Sequence, residues 1–329
     1  MKASTYLLIF FAGLTAFSCS FSGNQSHKQT AETQKLQTVS FNADSAYKFV
    51  AEQVAFGPRV PGSDAHGACA IWLAKKLGQY GAEVISQNFK TRTYDKVTRN
   101  GVNIIGSYNK AAKKRILLMA HWDSRPFADH DSNNDFHQTP IDGANDGASG
   151  VGVLLELARQ FQLKNPNVGV DIIFFDLEDW GPPTQLEIYQ DEYWGLGSQY
   201  WSKNPHEFGY SASFGILLDM VGAKDAYFSK EYFSMQYAGF VVDKVWDIAA
   251  QLGYRSQFVN QRGIPVNDDH VFVNRYANIP TIDIIHQDTE SANGSFFDHW
   301  HTVNDNMDKI DKTTLRIVGE VVGTVVYNE

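Results

Sequence analysis

Val170-Asp171-Ile172-Ile173-Phe174-Phe175 runs directly into Asp176-Leu177-Glu178-Asp179. A compact apolar run of this kind, ended by a cluster of acids, predicts a short strand covered on both faces. Three more runs share the pattern: Ile116–Met119, Phe214–Leu218 and Thr281–Ile285. Helical stretches separate them. Between the first two strands, Val151, Leu154, Leu155, Ala158 and Phe161 form one apolar stripe, and Leu315, Val318, Val322 and Val325 repeat it near the C-terminus. The alternation predicts an α/β fold, a three-layer sandwich around a mixed, mostly parallel sheet. Ahead of it, Ala46, Phe49, Val50 and Val54 have helical spacing that Phe56-Gly57-Pro58-Arg59 stops, and a second helix is expected from Ala65 to Tyr80. Residues Glu83 to Tyr108 alternate like a hairpin, with Asn100-Gly101 as its expected turn.

Each of three predicted strands ends in charge: His121 and Asp123 after the first, Asp176, Glu178 and Asp179 after the second, Asp219 after the third. Ligands in open α/β sheets bind beyond the carboxyl ends of strands. Asp146 lies in the glycine-rich turn Gly143-Ala144-Asn145-Asp146-Gly147-Ala148-Ser149-Gly150, and His301 lies in Phe297-Asp298-His299-Trp300-His301-Thr302 before the last helix. An acid at a strand end is as often a cap as a ligand, so the joint placement is what counts. Converging carboxylates repel strongly without a cation, and carboxylate with neutral imidazole is the donor set of zinc sites that stay open to substrate.

Taken in order, His121-x-Asp123, Gly-Ala-Asn-Asp146-Gly-Ala-Ser-Gly, Phe174-Phe175-Asp176-x-Glu178-Asp179, Leu218-Asp219-Met220-Val221-Gly222 and Trp300-His301-Thr302 resemble the motif set of the zinc aminopeptidases of peptidase family M28. The likeness runs from about Phe56 to Thr302 and implies a zinc aminopeptidase-like, phosphorylase/hydrolase-like fold. It also implies one of two activities. In the peptidase branch, the matches of His121, Asp146, Asp179, Asp219 and His301 hold two metals and the match of Glu178 is the general base. In the animal-type glutaminyl cyclase branch the same residues persist around one zinc. Trp300 before His301 resembles the cyclases' indole wall, and Asn267-Asp268-Asp269-His270 resembles their proton-sharing segment.

The cyclase branch therefore implies Zn²⁺, one per chain, on Asp146, Asp179 and His301. Glu178, Asp219 and Asp268 become the catalytic carboxyls, Trp300 the substrate-binding wall, and His121 a ligand to a second metal or a support behind the first. Peptides or proteins with N-terminal glutamine are the implied substrates. The chain departs from the animal enzymes at Asp179, where they have glutamate, at Asp283, where they have histidine, and in the aromatic and acidic insertion Pro182–Trp194.

With 329 residues, 43% apolar, the chain has material for one sizeable core. A formal net charge of −9 with scattered basic residues excludes the electrostatic footprint of a nucleic-acid binder. Met1-Lys2, the apolar run Tyr6 to Phe17 and Ser18-Cys19 have the form of an export signal over residues 1–18. Ala16-Phe17-Ser18-Cys19 resembles a loose lipobox, so Cys19 is expected to carry lipid, with residues 19–38 as a tether and 39–329 as the catalytic domain. The expectation is a periplasmic, membrane-anchored monomer. Cys69 shares an apolar helix face with Trp72, Leu73 and Leu77 and reads as a small buried hydrophobe.

Overall fold

Burial on both faces, expected for Val170–Phe175, holds for the whole strand β4 (Gly169–Phe175) and for nearly all of its neighbour β3 (Arg115–His121). The computed structural model describes residues 36–329 and positions 1, 3, 4 and 7; most of the expected signal and tether, with Cys19, lies outside the described residues. Residues 36–329 form one unit. Its other strands are β1 (Glu83–Arg92), β2 (Thr98–Tyr108), β5 (Phe214–Asp219), β6 (Phe228–Lys230), β7 (Phe258–Arg262) and β8 (Thr281–Ile285). The main sheet has the order β1-β2-β4-β3-β5-β8, and β6 pairs separately with β7. Strands β4, β3, β5 and β8 run parallel, whereas β1 and β2 are antiparallel additions at one edge. The order reverses at β3, so the crevice beyond the carboxyl ends of β4, β3 and β5 is the switch point where such sheets bind ligands.

Residues of β3 alternate between two cores. Ile116, Leu118 and Ala120 face a large core shared with α1 (Ala43–Val54), α2 (Asp64–Gln79), α3 (Ala148–Leu163), α5 (Tyr232–Gln251) and α7 (Lys312–Tyr327). Leu117 and Met119 face a smaller core with Trp201 of α4 (Leu196–Lys203), next to the short α6 (Asp269–Phe272). These are the three layers expected. Cys69 is fully buried beside Leu73 and Leu77, and burial pushes its thiol up to about 12.

The hairpin turn differs from expectation. The chain reverses over residues 93–97, where Thr93 N donates to Val97 O at 3.0 Å and Val97 N to Asp95 Oδ1 at 3.2 Å, with Lys96 left-handed at φ 64°. Asn100-Gly101 lies inside β2, opposite Lys90 and Phe89. A Cβ on Gly101 would stand 2.4 Å from the Phe89 ring, so this glycine serves cross-strand packing rather than a turn.

Helix α5 begins on the fully buried carboxylate of Glu231, which accepts Phe233 N at 2.9 Å and Ser234 N at 2.6 Å and also Val266 N at 3.0 Å. Burial opposes its charge, but His270 and the backbone donors outweigh burial and lower its pKa to about 2. A depressed carboxyl pKa adds stability above the unfolded value of about 4.3 that is lost as pH falls through the folded one. We expect Glu231→Gln to cost about 2 kcal/mol at pH 7. Denaturant titrations from pH 5 to 2 should show a shallower acid loss in the variant than in the parent.

Candidate active site

Left-handed backbone recurs where the sheet delivers its polar groups. Leu177 (φ 56°) follows β4 and turns out Glu178 and Asp179; Met220 (φ 49°) follows Asp219; His301 itself sits at φ 53°. Such conformations are uncommon outside glycine, and they cluster where surrounding structure holds a site in place.

Two groups of donor atoms result. His301 Nε2 is 3.2 Å from Asp179 Oδ1 and 3.5 Å from Asp146 Oδ2. His121 Nε2 is 3.0 Å from Asp146 Oδ1 and 3.3 Å from Asp219 Oδ1. Tetrahedral zinc with bonds of about 2.0–2.1 Å needs ligand atoms about 3.3 Å apart, so both groups have the spacing of a zinc shell. Asp146 contributes one oxygen to each. His121 Nε2, Asp146 Oδ2, Asp179 Oδ2 and Asp219 Oδ1 make no aligned hydrogen bond despite their burial. Unpaired ionisable groups at such depth cost several kcal/mol each unless a cation joins them. The residues fit a divalent zinc.

Neighbouring groups hold these donors still. Asp123, fully buried, accepts Glu178 N at 3.2 Å and Asp179 N at 3.3 Å, and its Oδ1 is 3.5 Å from His121 Nδ1. Asp305 accepts Asn145 N at 2.8 Å and Asp146 N at 3.0 Å, which ties the loop of His301 to the turn of Asp146. Arg59, fully buried, donates to the carbonyls of Trp122, Asp142 and Gly143 and pins that turn from behind. The glycine there has a packing reason: at Gly147 (φ 89°) a Cβ would stand 2.8 Å from the His121 ring.

A cavity of about 400 Å³ opens over the donors. Asp146, Glu178, Asp179, Asp219, Asp268 and His301 line it together with an apolar wall that includes Trp300, Trp194 and Phe296. Trp300 stacks on His301 with ring centres 3.8 Å apart. Burial, then the nearby Asp268 charge, raises the Glu178 carboxyl well above the usual range. Burial with Asp146 and Asp268 nearby pushes Asp219 up to about 7. Asp268 accepts from Asp269 N at the start of α6, and Asp283 lies fully buried behind it.

Of the acids at the strand ends, Asp176 stands apart. It pairs with His66 at 2.9 Å and accepts Val102 N at 2.7 Å, a structural role beneath the site. Arg59, Arg125, Asp129 and Asp305 carry no motif that points to the site, because the groups they hold there, the turn of Asp146, Asp179 and His301, lie far from most of them in the chain. Asp305 had one local signal, four residues past His301 in the same loop.

The pattern of Peptidase family M28 matches residues 103–326. A crystal structure of Bacteroides thetaiotaomicron glutaminyl cyclase bound to N-acetylhistamine is 51% identical, covers 89% of this chain and 100% of that one, and has a TM-score of 0.87. A Zn-dependent exopeptidase from Parabacteroides distasonis is 52% identical over 88% of this chain and 99% of that one, with a TM-score of 0.86. The glutaminyl-peptide cyclotransferase of Bos taurus is 27% identical over 258 residues, 69% of this chain and 66% of the bovine protein.

Asp305 gives this geometry a direct test. Asp305→Ala removes the acceptor for two backbone N–H groups and should weaken zinc 10–100-fold, the scale for groups that orient ligands. Asp305→Asn keeps one acceptor and should lose less, as read by competition with a chromophoric chelator.

Proposed function

The chain belongs to peptidase family M28, and from that premise we propose that it is a zinc-dependent glutaminyl-peptide cyclotransferase, which converts N-terminal glutamine of peptides and proteins to pyroglutamate with release of ammonia. One observation carries this reading. The donor trio Asp146, Asp179 and His301, the carboxyl of Glu178 and the indole of Trp300 converge on one apolar-walled pocket, in a chain half identical to a glutaminyl cyclase.

Asp146, Asp179 and His301 would hold one zinc per chain, which would supply Lewis-acid polarisation of the glutamine γ-carbonyl. Trp300 and the apolar wall bound the side chain and fold it back toward its own α-amine. Attack is then intramolecular, and holding that geometry is worth about 7 kcal/mol or more. Glu178 takes a proton from the amine as the C–N bond of the ring forms and returns one to the departing ammonia. Its raised pKa suits both transfers, and Asp219 and Asp268, which line the same pocket, would share its protons.

A second reading has its own observation. The trio of His121, Asp146 and Asp219 favours a second metal and an aminopeptidase, in which Glu178 would activate water against the first peptide bond. Incubation with a glutamine-initiated peptide separates the two: ammonia release marks the cyclase, amino-acid release the peptidase. The export pattern of residues 1–18 and the lipobox-like Ala16–Cys19 support a periplasmic protein anchored through lipid on Cys19. Among the described residues no helix is long and apolar enough to cross a membrane. Labelled lipid incorporation at Cys19 tests the anchor.

Glu178 and Asp179 are adjacent and both line the pocket, yet they are assigned different parts. Glu178→Gln is expected to keep zinc and lose cyclisation by at least ~10²-fold, the scale of a general acid-base group. Asp179→Asn should instead lose zinc. Elemental analysis and ammonia release measured on both variants decide this, and parental turnover by Glu178→Gln overturns the mechanism.

A further inference from the structure

The insertion 182–194 supplies much of the pocket wall, including Pro182, Thr184, Ile188, Tyr189 and Trp194. Its root rests on a fully enclosed ion pair. Arg125 donates through Nε to Asp129 Oδ1 and through Nη2 to Asp129 Oδ2, both at 2.7 Å, and neither side chain reaches solvent. A guanidinium and carboxylate joined at two points form a rigid unit. The remaining contacts of that unit run in two directions.

Toward the metal centre, Arg125 Nη1 donates to the Asp179 carbonyl at 3.1 Å and to Asp179 Oδ1 at 3.2 Å. Asp129 Oδ1 stands 3.5 Å from His301 Nδ1, a ring nitrogen with no other polar partner. The next residue, His130, donates its backbone N–H to the His301 carbonyl at 3.1 Å, and its ring packs against Trp300 at a tilt of 47° with centres 4.3 Å apart. Toward the insertion, Asp129 Oδ2 accepts Thr184 N at 2.8 Å and Thr184 Oγ1 at 3.0 Å. Gln185 Nε2 donates to the Asp129 carbonyl at 2.9 Å, and Arg125 Nη2 to the Pro182 carbonyl at 3.3 Å. The guanidinium also lies 4.9 Å from the Trp194 ring centre.

We propose that Asp129 is a positioning residue that joins the substrate-facing insertion 182–194 to the metal donors Asp179 and His301, so that ordering the insertion and holding zinc are one linked equilibrium. The inference rests on the reading that Asp179 and His301 hold zinc. A carboxylate accepts about four hydrogen bonds, and Asp129 takes two from Arg125, whose Nη1 reaches Asp179, and two from Thr184 of the insertion, with His301 Nδ1 in close approach at 3.5 Å. A histidine that binds metal through one nitrogen needs the other fixed, usually by a carboxylate, and Asp129 is the carboxylate on that side of His301. Any displacement of Thr184 is passed to Asp129 and Arg125, and through them to both donors. Linkage then runs in both directions: a group that steadies the insertion tightens zinc, and zinc steadies the insertion.

The test uses the full-length zinc-loaded protein and the variants Asp129→Asn, Thr184→Val and His301→Ala. Zinc affinity is read by chelator competition, KM and kcat on a glutamine-initiated peptide, and the melting temperature of each metal-free protein. Asp129→Asn should weaken zinc about 10–100-fold and raise KM, beyond any change in metal-free melting. Thr184→Val touches no metal donor, yet it should raise KM and weaken zinc at least about twofold with metal-free melting unchanged. Parental zinc affinity in either variant overturns the linkage, and if Asp129→Asn fails to fold, Thr184→Val decides alone. A parent that takes up no zinc, or a His301→Ala variant with parental affinity, instead overturns the metal reading beneath it.

Discussion

An uncompensated negative charge at the end of a buried sheet is the constraint on which this molecule turns. Asp146, Asp179 and Asp219 meet His121 and His301 at ligand spacing with several of their polar atoms unpaired. Hydrophobic burial alone would scatter such groups to the surface. A divalent cation reverses the sign of the problem, because each carboxylate that was a cost becomes a bond. The rest of the architecture keeps those acids from relaxing away: Arg59 behind one turn, Asp123 beneath another, Asp305 between two loops.

Much of this was legible in the chain. The runs Ile116–Met119 and Val170–Phe175 announced buried parallel strands because strands covered on both faces have no polar alternation to obscure them. Strand ends then located His121, Glu178, Asp179 and Asp219, and the glycine-rich turn located Asp146. Local reading failed where a residue answers to something distant. Gly101 looks like half of a turn and is a cross-strand contact with Phe89. Asp176 looks like a member of the acid cluster and is the partner of His66. Arg125 and Asp129 are a local i,i+4 pair with no motif of their own, and their meaning arises only once Asp179, His301 and residues 182–185 fold around them. The long helix α5 went unread, as did the small β6–β7 ladder.

The site also shows how one ligand set can serve two chemistries. Asp146 offers one oxygen to each donor group. Selectivity between ring closure and peptide cleavage therefore falls to the pocket, to what Trp300, Trp194 and the insertion allow a substrate's first residue to do. Trp300 is a likeness to the animal enzymes, whereas the insertion, with Trp194, is a departure from them.

The left-handed residues at 177, 220 and 301 bear on how such a protein is engineered. Each carries roughly 1 kcal/mol of backbone strain, and Leu177 and Met220 are also core side chains. Glycine or asparagine would relieve the backbone at these positions while emptying the core and loosening the turns that aim Glu178, Asp179 and Asp219. A library selected for heat resistance alone would sample such exchanges and move away from catalysis. Stabilising substitutions belong instead on the far helices and at the β1 edge, where the sheet has no chemistry to lose.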